Sequence, residues 1–340
     1  MEFFEQPIFF ERNRVFRVYK GGALFADFFG DKREDGFYPE EWVASDVRAL
    51  NEGHDDIHEG ISKIAGTDIY LNDALRDYAP QILGSKTCLG VLTKILDSAI
   101  RLPVQAHPSK EFALEHFSSR FGKQEAWLIL GKREGAGIYY GFKDGVTMDD
   151  FKAAIEKSET DSEAMKDLLV YYDVTPGDVI FIPAGMVHAI GSGCLLLEAQ
   201  EPTDFTIQPE RYCGEYRLSD NEMYLGLEKE AALGCFEMDK RYELPLKPML
   251  LSEENGAKYE ELIGRKQTDC FGMRRITLEN GSFVPRQTAG VYVVTDGEGE
   301  ITAQGYSKKL TKGDYFLLPH LAVDKFTLSG NMTVAESFGL

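Results

Sequence analysis

Short apolar runs cut by Gly, Asn and Pro recur along the chain and predict strands more often than helices. The sharpest pattern occurs twice. Thr175-Pro-Gly-Asp-Val-Ile-Phe-Ile-Pro183 and Thr311-Lys-Gly-Asp-Tyr-Phe-Leu-Leu-Pro319 both read T-x-G-D, four apolar residues, then Pro. Gly-Asp predicts a tight turn and the apolar run a buried strand, which Pro ends because it has no N–H to donate. Upstream of each copy lies a second matched piece, residues 125–138 (EAWLILGKREGAGI) and 290–301 (GVYVVTDGEGEI). Each reads as a strand, a Gly-rich turn and a returning strand. Two matched pieces in the same order predict a duplicated all-β unit of sandwich or barrel type. Asn280-Gly281, between the runs 273–278 and 283–287, predicts a hairpin turn in the second unit.

Helical spacing is confined to inserts. Thr147-Met-Asp-Asp150 reads as a capping box, and Phe151, Ala154, Ile155, then Met165, Leu168 and Leu169 predict helix across about 146–170. Further helices are expected at 72–78 and 111–121, flanking the stretch 89–104, and at 219–233. The pattern breaks at 240–260, in Leu244-Pro-Leu-Lys-Pro248 and Ser252-Glu-Glu-Asn-Gly256, which divides the chain into units 1–245 and 246–340.

With 340 residues and 43% hydrophobic content, two packed cores are affordable. The first 17 residues mix Phe and Ile with Glu and Arg, unlike a secretory leader, and no apolar run approaches the roughly 18 residues of a membrane span. A cytoplasmic protein with no membrane partner is expected. Its five cysteines are scattered and form no CxxC pair, so they read as reduced thiols rather than a disulfide framework or a thiolate zinc site. The net charge of −19 argues against nucleic acid, and an anionic substrate would need a local positive centre such as a metal ion.

The residues able to hold such an ion cluster in Val104-Gln-Ala-His-Pro108, Lys123-Gln-Glu125 and Pro183-Ala-Gly-Met-Val-His188. On a strand, Gln105 and His107 project to the same side. Two imidazoles, a carboxylate and an amide oxygen suit a divalent first-row ion; zinc fits, and the non-haem iron of an oxygenase fits the same two His and one carboxylate. The repeat acts as an internal control. Five residues after Pro183 stands His188, whereas five after Pro319 stands Asp324, and Gly290 takes the place of Glu125. The second unit is therefore expected to be structural, with His320 out of register on the surface.

Glu41-Trp-Val-Ala-Ser45, Leu92-Thr-Lys-Ile-Leu-Asp97, Gln105-Ala-His-Pro108, Lys123-Gln-Glu125 and Pro183-Ala-Gly-Met-Val-His-Ala-Ile190 together resemble the type I mannose-6-phosphate isomerases, from about residue 17 to the end. The resemblance implies two cupin domains, jelly-roll-like β-barrels, the first metal-binding and the second degenerate. It implies one zinc ion per chain on Gln105, His107, Glu125 and His188. It also implies interconversion of mannose 6-phosphate and fructose 6-phosphate through an enediol, with the ion as Lewis acid. Lys94, Lys123, Glu198 and Asp204 match polar positions of the family's pocket, any of which could carry the protons.

Two positions depart from the family: Pro103 where Ser is common, and Gln208 where an Arg stands ten residues beyond the glutamate. Gln lacks the fixed charge of Arg. Arg211 is the candidate to replace it, and Arg217 the weaker one. These departures keep open an isomerase of a different or unphosphorylated aldose, or a non-catalytic cupin that binds sugar or metal. Gly84-Ser-Lys-Thr87 lacks the earlier glycine of a phosphate loop, and the Asn280-Gly-Ser282 sequon has no meaning without export.

Overall fold

The computed structural model describes residues 3–240 and 242–340; Met1, Glu2 and Arg241, which fall in the segments read for a leader and for a domain junction, lie outside it. The chain is mainly β, in two large antiparallel sheets and two smaller ones. A six-stranded sheet runs Arg14–Val15, Glu40–Val43, Leu92–Asp97, Cys194–Gln200, Glu125–Lys132, Val179–Ile182. A three-stranded sheet (Leu169–Asp173, Gly137–Phe142, His188–Ile190) packs on one of its faces through Trp127, Ile129, Leu196, Ile138 and Ile190. The other face, with Ile95, Leu128, Phe181 and Leu197, packs on an eight-stranded sheet built mostly from residues 249–339 through Phe271, Met273, Val291 and Leu317. Neither large sheet closes into a barrel. The strand Ile8–Phe9 pairs with Tyr315–Leu318, so the chain's start completes the edge of the C-terminal sheet.

The two copies of the repeat fold alike. Glu40–Val43, Leu92–Asp97, Cys194–Gln200, Glu125–Lys132 and Val179–Ile182 lie in the same order as Ala257–Ile263, Phe271–Phe283, Thr327–Gly339, Gly290–Ala303 and Tyr315–Leu318. Register agrees residue by residue: Glu125 pairs with Ile182 and Gly290 with Leu318. Both T-x-G-D turns close the same way, Asp178 accepting from the Thr175 N–H at 2.8 Å and Asp314 from that of Thr311 at 2.7 Å. The correspondence extends to a buried triad. Glu198 lies between Lys94 and Trp127, whose Nε1 donates to it at 3.1 Å, as Glu336 lies between Arg274 and Tyr292, whose hydroxyl donates to it. In the second unit Tyr259 also donates to Glu336 at 2.8 Å, and tyrosines fill this space.

Several local expectations yield to long-range pairing. Asn280-Gly281 is no hairpin: Phe271–Phe283 is one strand with a bulge between Glu279 and Gly281, Asn280 taking φ 49° while its N–H donates to Asn331. Gly290–Ala303 is likewise one continuous strand, bulged between Val294 and Asp296, and the turn comes after it. The capping box at Thr147 is present, but its helix, Met148–Lys157, ends before Met165. Leu169 instead starts a strand against Gly137–Phe142. The expected 219–233 helix is two short ones, Asp220–Tyr224 and Lys229–Leu233, separated where Leu225 turns left-handed. The helices Leu71–Leu83 and Lys110–Phe117 lie where expected, and His320 is exposed.

The Thr147 side chain satisfies the Asp150 N–H and Asp150 returns a bond to the Thr147 N–H at 2.9 Å. Thr147→Ala should therefore cost about 1 kcal/mol in a urea unfolding curve, with no change in metal content.

Candidate active site

Three separated segments converge because backbone pairing forces them together. Gln105 exchanges both backbone hydrogen bonds with His188, at 2.9 Å each, and Ala106 does so with Ile207. His107 follows, and its carbonyl accepts from Gly185 at 2.8 Å, fixing the turn that leads into His188. Lys123 is drawn in by its N–H bond to the Pro108 carbonyl, 2.9 Å. The approach requires a glycine beside it, since a Cβ on Gly122 would stand 2.5 Å from that oxygen. Glu201 accepts from the backbone N–H groups of Gly122 and Gln124, holding the loop that delivers Glu125 to the start of its strand.

His107, Glu125 and His188 are buried, and their ligand-capable atoms lie within 4.8 Å of one another. Both histidines are held in one tautomer. His107 Nδ1 faces the Phe205 carbonyl at 3.0 Å and His188 Nδ1 the Met186 carbonyl at 2.9 Å, so each donates there and turns an Nε2 lone pair toward Glu125. The two Nε2 atoms stand 3.2 Å from the two carboxylate oxygens. Lone pairs facing lone pairs at that distance make no hydrogen bond. Among the described residues, Glu125 Oε2 and His188 Nε2 have no hydrogen-bond partner; Lys123 Nζ, 3.2 Å from Oε2, is an ion-pair neighbour out of alignment. Burial, then Lys123, pushes His107 down to about 3, so its imidazole is neutral. Burial works to raise Glu125, but Lys123 holds it well below the usual carboxylate range. Two imidazoles and an ionised carboxylate, with Glu125 Oε2 and His188 Nε2 unshared and Lys123 Nζ 3.1 Å from His107 Nε2, form a donor set that fits a divalent cation. Gln105, buried and paired through its backbone with His188, lines a cavity together with Glu125.

That cavity measures about 690 Å³. Four of the five other candidates line it: Lys94, Lys123, Glu198 and Asp204. Lys94 Nζ lies 3.4 Å from Glu198, 3.8 Å from Glu40 and 3.9 Å from Asp204, and 4.7 Å from the centre of the Trp42 ring. Burial alone would lower Lys94, but Glu198, Glu40 and Asp204 outweigh it and keep the ammonium charged. Glu198 is pushed up, first by burial and then by Glu125, against the pull of Lys94. Gln208 and Pro103, the two departures, also face the cavity.

Arg211 is not brought here. Its Nε donates to Glu159 and its NH1 to Asp220 and the Leu218 carbonyl, on a different surface hollow. Two acidic neighbours capture it, which corrects the expectation that it replaces a cavity arginine; Arg217, more than half exposed, pairs with Glu159 as well.

The guanidinium in the cavity is that of Arg17. Sequence reasoning passed it over, along with Glu40. Arg17 donates from Nε to Glu40 at 3.0 Å, from NH1 to Asn51 at 3.0 Å, and from NH2 to both Asp204 oxygens at 3.0 and 3.1 Å. Against burial, Arg17 and Lys94 hold Glu40 well below its usual range, and Tyr19 and Trp42 each donate to it at 2.6 Å. The signal was strand parity. Glu40 and Glu41 are adjacent, so one faces the cavity while the other turns to the inter-sheet core, where Glu41 pairs with Arg14 and accepts from Tyr315.

Residues 265–339 match the model of the mannose-6-phosphate isomerase cupin domain. Mannose-6-phosphate isomerase ManA of Bacillus subtilis (strain 168) is 30% identical over 330 residues, 96% of each chain. The chain belongs to the mannose-6-phosphate isomerase family. This is the type I family of the cupin superfamily, and the protein is an isomerase. A second family member, from Streptococcus mutans serotype c, is 27% identical over 98% of each chain. The fold agrees with the crystal structure of the Bacillus subtilis mannose 6-phosphate isomerase, at TM-score 0.79 and 23% identity over 97% of this chain and 99% of that one. It also agrees with a mannose 6-phosphate isomerase bound with zinc and yttrium, at TM-score 0.72 and 14% identity over 98% and 99%.

Proposed function

We propose that this family member is a zinc-dependent aldose–ketose isomerase that interconverts mannose 6-phosphate and fructose 6-phosphate through an enediol. The observation that carries the metal half of this reading is the pair of imidazole lone pairs held against one buried, ionised carboxylate. His107, Glu125 and His188, with Gln105 beside them, would hold one ion per chain, and that ion would supply Lewis-acid stabilisation of charge on the sugar oxygens.

The chain's own residues supply the rest. In the aldose-to-ketose direction the carbon-bound proton leaves C2 and arrives at C1, while a hydroxyl proton passes from O2 to O1. Lys123, 3.1 Å from His107 Nε2 and 3.2 Å from Glu125, is placed to donate to an oxygen that gathers negative charge. Glu198, raised by burial and by Glu125, can hold a proton in the cavity and exchange it. Lys94 stays charged beside it, and Arg17 ties Asp204 and Glu40 in place around Lys94. The scaffold reads as two cupin units, 1–245 and 246–340, the second without ligands; matched strand order and register support this.

Dialysed protein should bind zinc and convert mannose 6-phosphate to fructose 6-phosphate in a coupled assay. A chelator should remove both, and added zinc restore them. Bound zinc without turnover of this sugar rejects the phosphosugar half of the reading. Isomerisation of an unphosphorylated aldose is the second reading, favoured because six carboxylates (Glu40, Glu52, Glu125, Glu198, Asp204, Glu222) line the cavity against three fixed cations (Arg17, Lys94, Lys123).

A further inference from the structure

The cavity's two ends differ in chemistry. Its fixed cations, Arg17, Lys94 and Lys123, are all at least mostly buried and each is ion-paired. The mouth is aromatic and acidic. Phe16 stacks on His54 with ring centres 4.5 Å apart and planes 28° apart, and Phe37 lies 6.0 Å from Phe16. Phe16, Phe37, Leu50 and His54 line the cavity, and Phe37 and Leu50 are 43% and 51% exposed, Phe37 also lying 5.3 Å from the Lys20 ammonium. Glu52 and Asn221, both exposed, and Glu222 supply hydrogen-bonding groups on the same lining.

We propose that this mouth is a subsite for a second, uncharged sugar ring, so that the enzyme accepts a reducing-end aldose bearing a further sugar unit as well as a single hexose. The claim rests on the sugar-isomerase reading of the inner end. A pyranose ring has an apolar face of C–H groups that stacks on an aromatic ring, and a rim of hydroxyls that donate to carboxylates and amides. Phe16 and Phe37 offer the first, and Glu52, Asn221 and Glu222 the second. A phosphate placed there would face Glu52 and Glu222, while Arg17 is committed to Glu40, Asn51 and Asp204 and Lys20 is not among the lining residues. The cavity, about 690 Å³, is in the range that encloses ligands larger than one hexose.

The test is calorimetric titration of the zinc-loaded protein with mannose, mannose 6-phosphate and β-1,4-mannobiose. Mannobiose should bind about tenfold more tightly than mannose. Phe37→Ala, at an exposed position that leaves the fold intact, and Phe16→Ala should each erase most of that advantage and leave mannose 6-phosphate affinity within about twofold. Saturation-transfer NMR on wild-type protein should mark the non-reducing ring. Mannobiose binding no tighter than mannose, or an advantage that survives Phe37→Ala, overturns the subsite. Mannose 6-phosphate turnover measured alongside separates the claims: turnover without the mannobiose advantage defeats only the subsite, and mannobiose binding without turnover defeats only the phosphosugar isomerase.

Discussion

Glu125→Gln should lose zinc and, with it, isomerase activity, while the metal-free protein keeps its fold. The substitution removes the one negative charge that offsets two inward-facing imidazole lone pairs and a divalent ion. An amide can donate to one Nε2 but leaves its oxygen facing the other. Zinc affinity should fall by more than about 100-fold, the upper end of what changes to groups behind the ligands cost. Competition with a chromogenic chelator measures it. Thermal unfolding supplies the control. Binding to the native state alone stabilises it, by about 2.7 kcal/mol at 100 times Kd, so zinc should raise the Tm of the wild type and leave that of the variant unmoved. A variant that holds stoichiometric zinc after dialysis would remove Glu125 from the ligand set.

Lys123→Met should instead keep the metal and lose the chemistry. Lys123 Nζ lies 3.1 Å from His107 Nε2 and 3.2 Å from Glu125 Oε2, closer to the ligand atoms than a residue serving only the cavity wall needs to be. Met fills a similar volume without donating a hydrogen bond. If Lys123 protonates the oxygen that gathers charge, kcat should fall by about 10²–10⁴-fold with KM changing much less. Zinc content should stay near that of the wild type. A kcat within threefold of the wild type defeats the assignment, and loss of zinc assigns Lys123 to holding the ligands in place.

The contrast between Arg17 and Arg211 shows where linear reasoning stopped. Arg211 lay near the expected position in the chain, and its charge was the type sought, yet Glu159, 52 positions back, and Asp220, nine ahead, fold beside it and hold it elsewhere. Arg17 comes from the other end of the first unit and reaches Asp204 across 187 positions. No spacing rule links residues so far apart. Asn280-Gly281 teaches the same lesson at the backbone: its turn preference is local, whereas twelve residue pairs between Phe271–Phe283 and Thr327–Gly339 hold the strand straight, and the left-handed residue is absorbed as a bulge.

By itself the sequence determined the parts whose physics is short-ranged: the two T-x-G-D turns, the capped helix at Thr147, the buried strands, and the residue types able to hold a metal ion. The internal repeat also let it place Glu125 and His188 in one copy, with Gly290 and Asp324 at the matching positions of the other. Tertiary structure alone decided which of two adjacent glutamates faces the cavity, which arginine enters it, and how both histidines came to turn their lone pairs on one carboxylate. Those outcomes depend on strand parity and on carbonyls contributed by Phe205 and Met186, and on carboxylates that meet an arginine only after folding. Local composition carries no information about such partners, because they are neighbours in space and strangers along the chain.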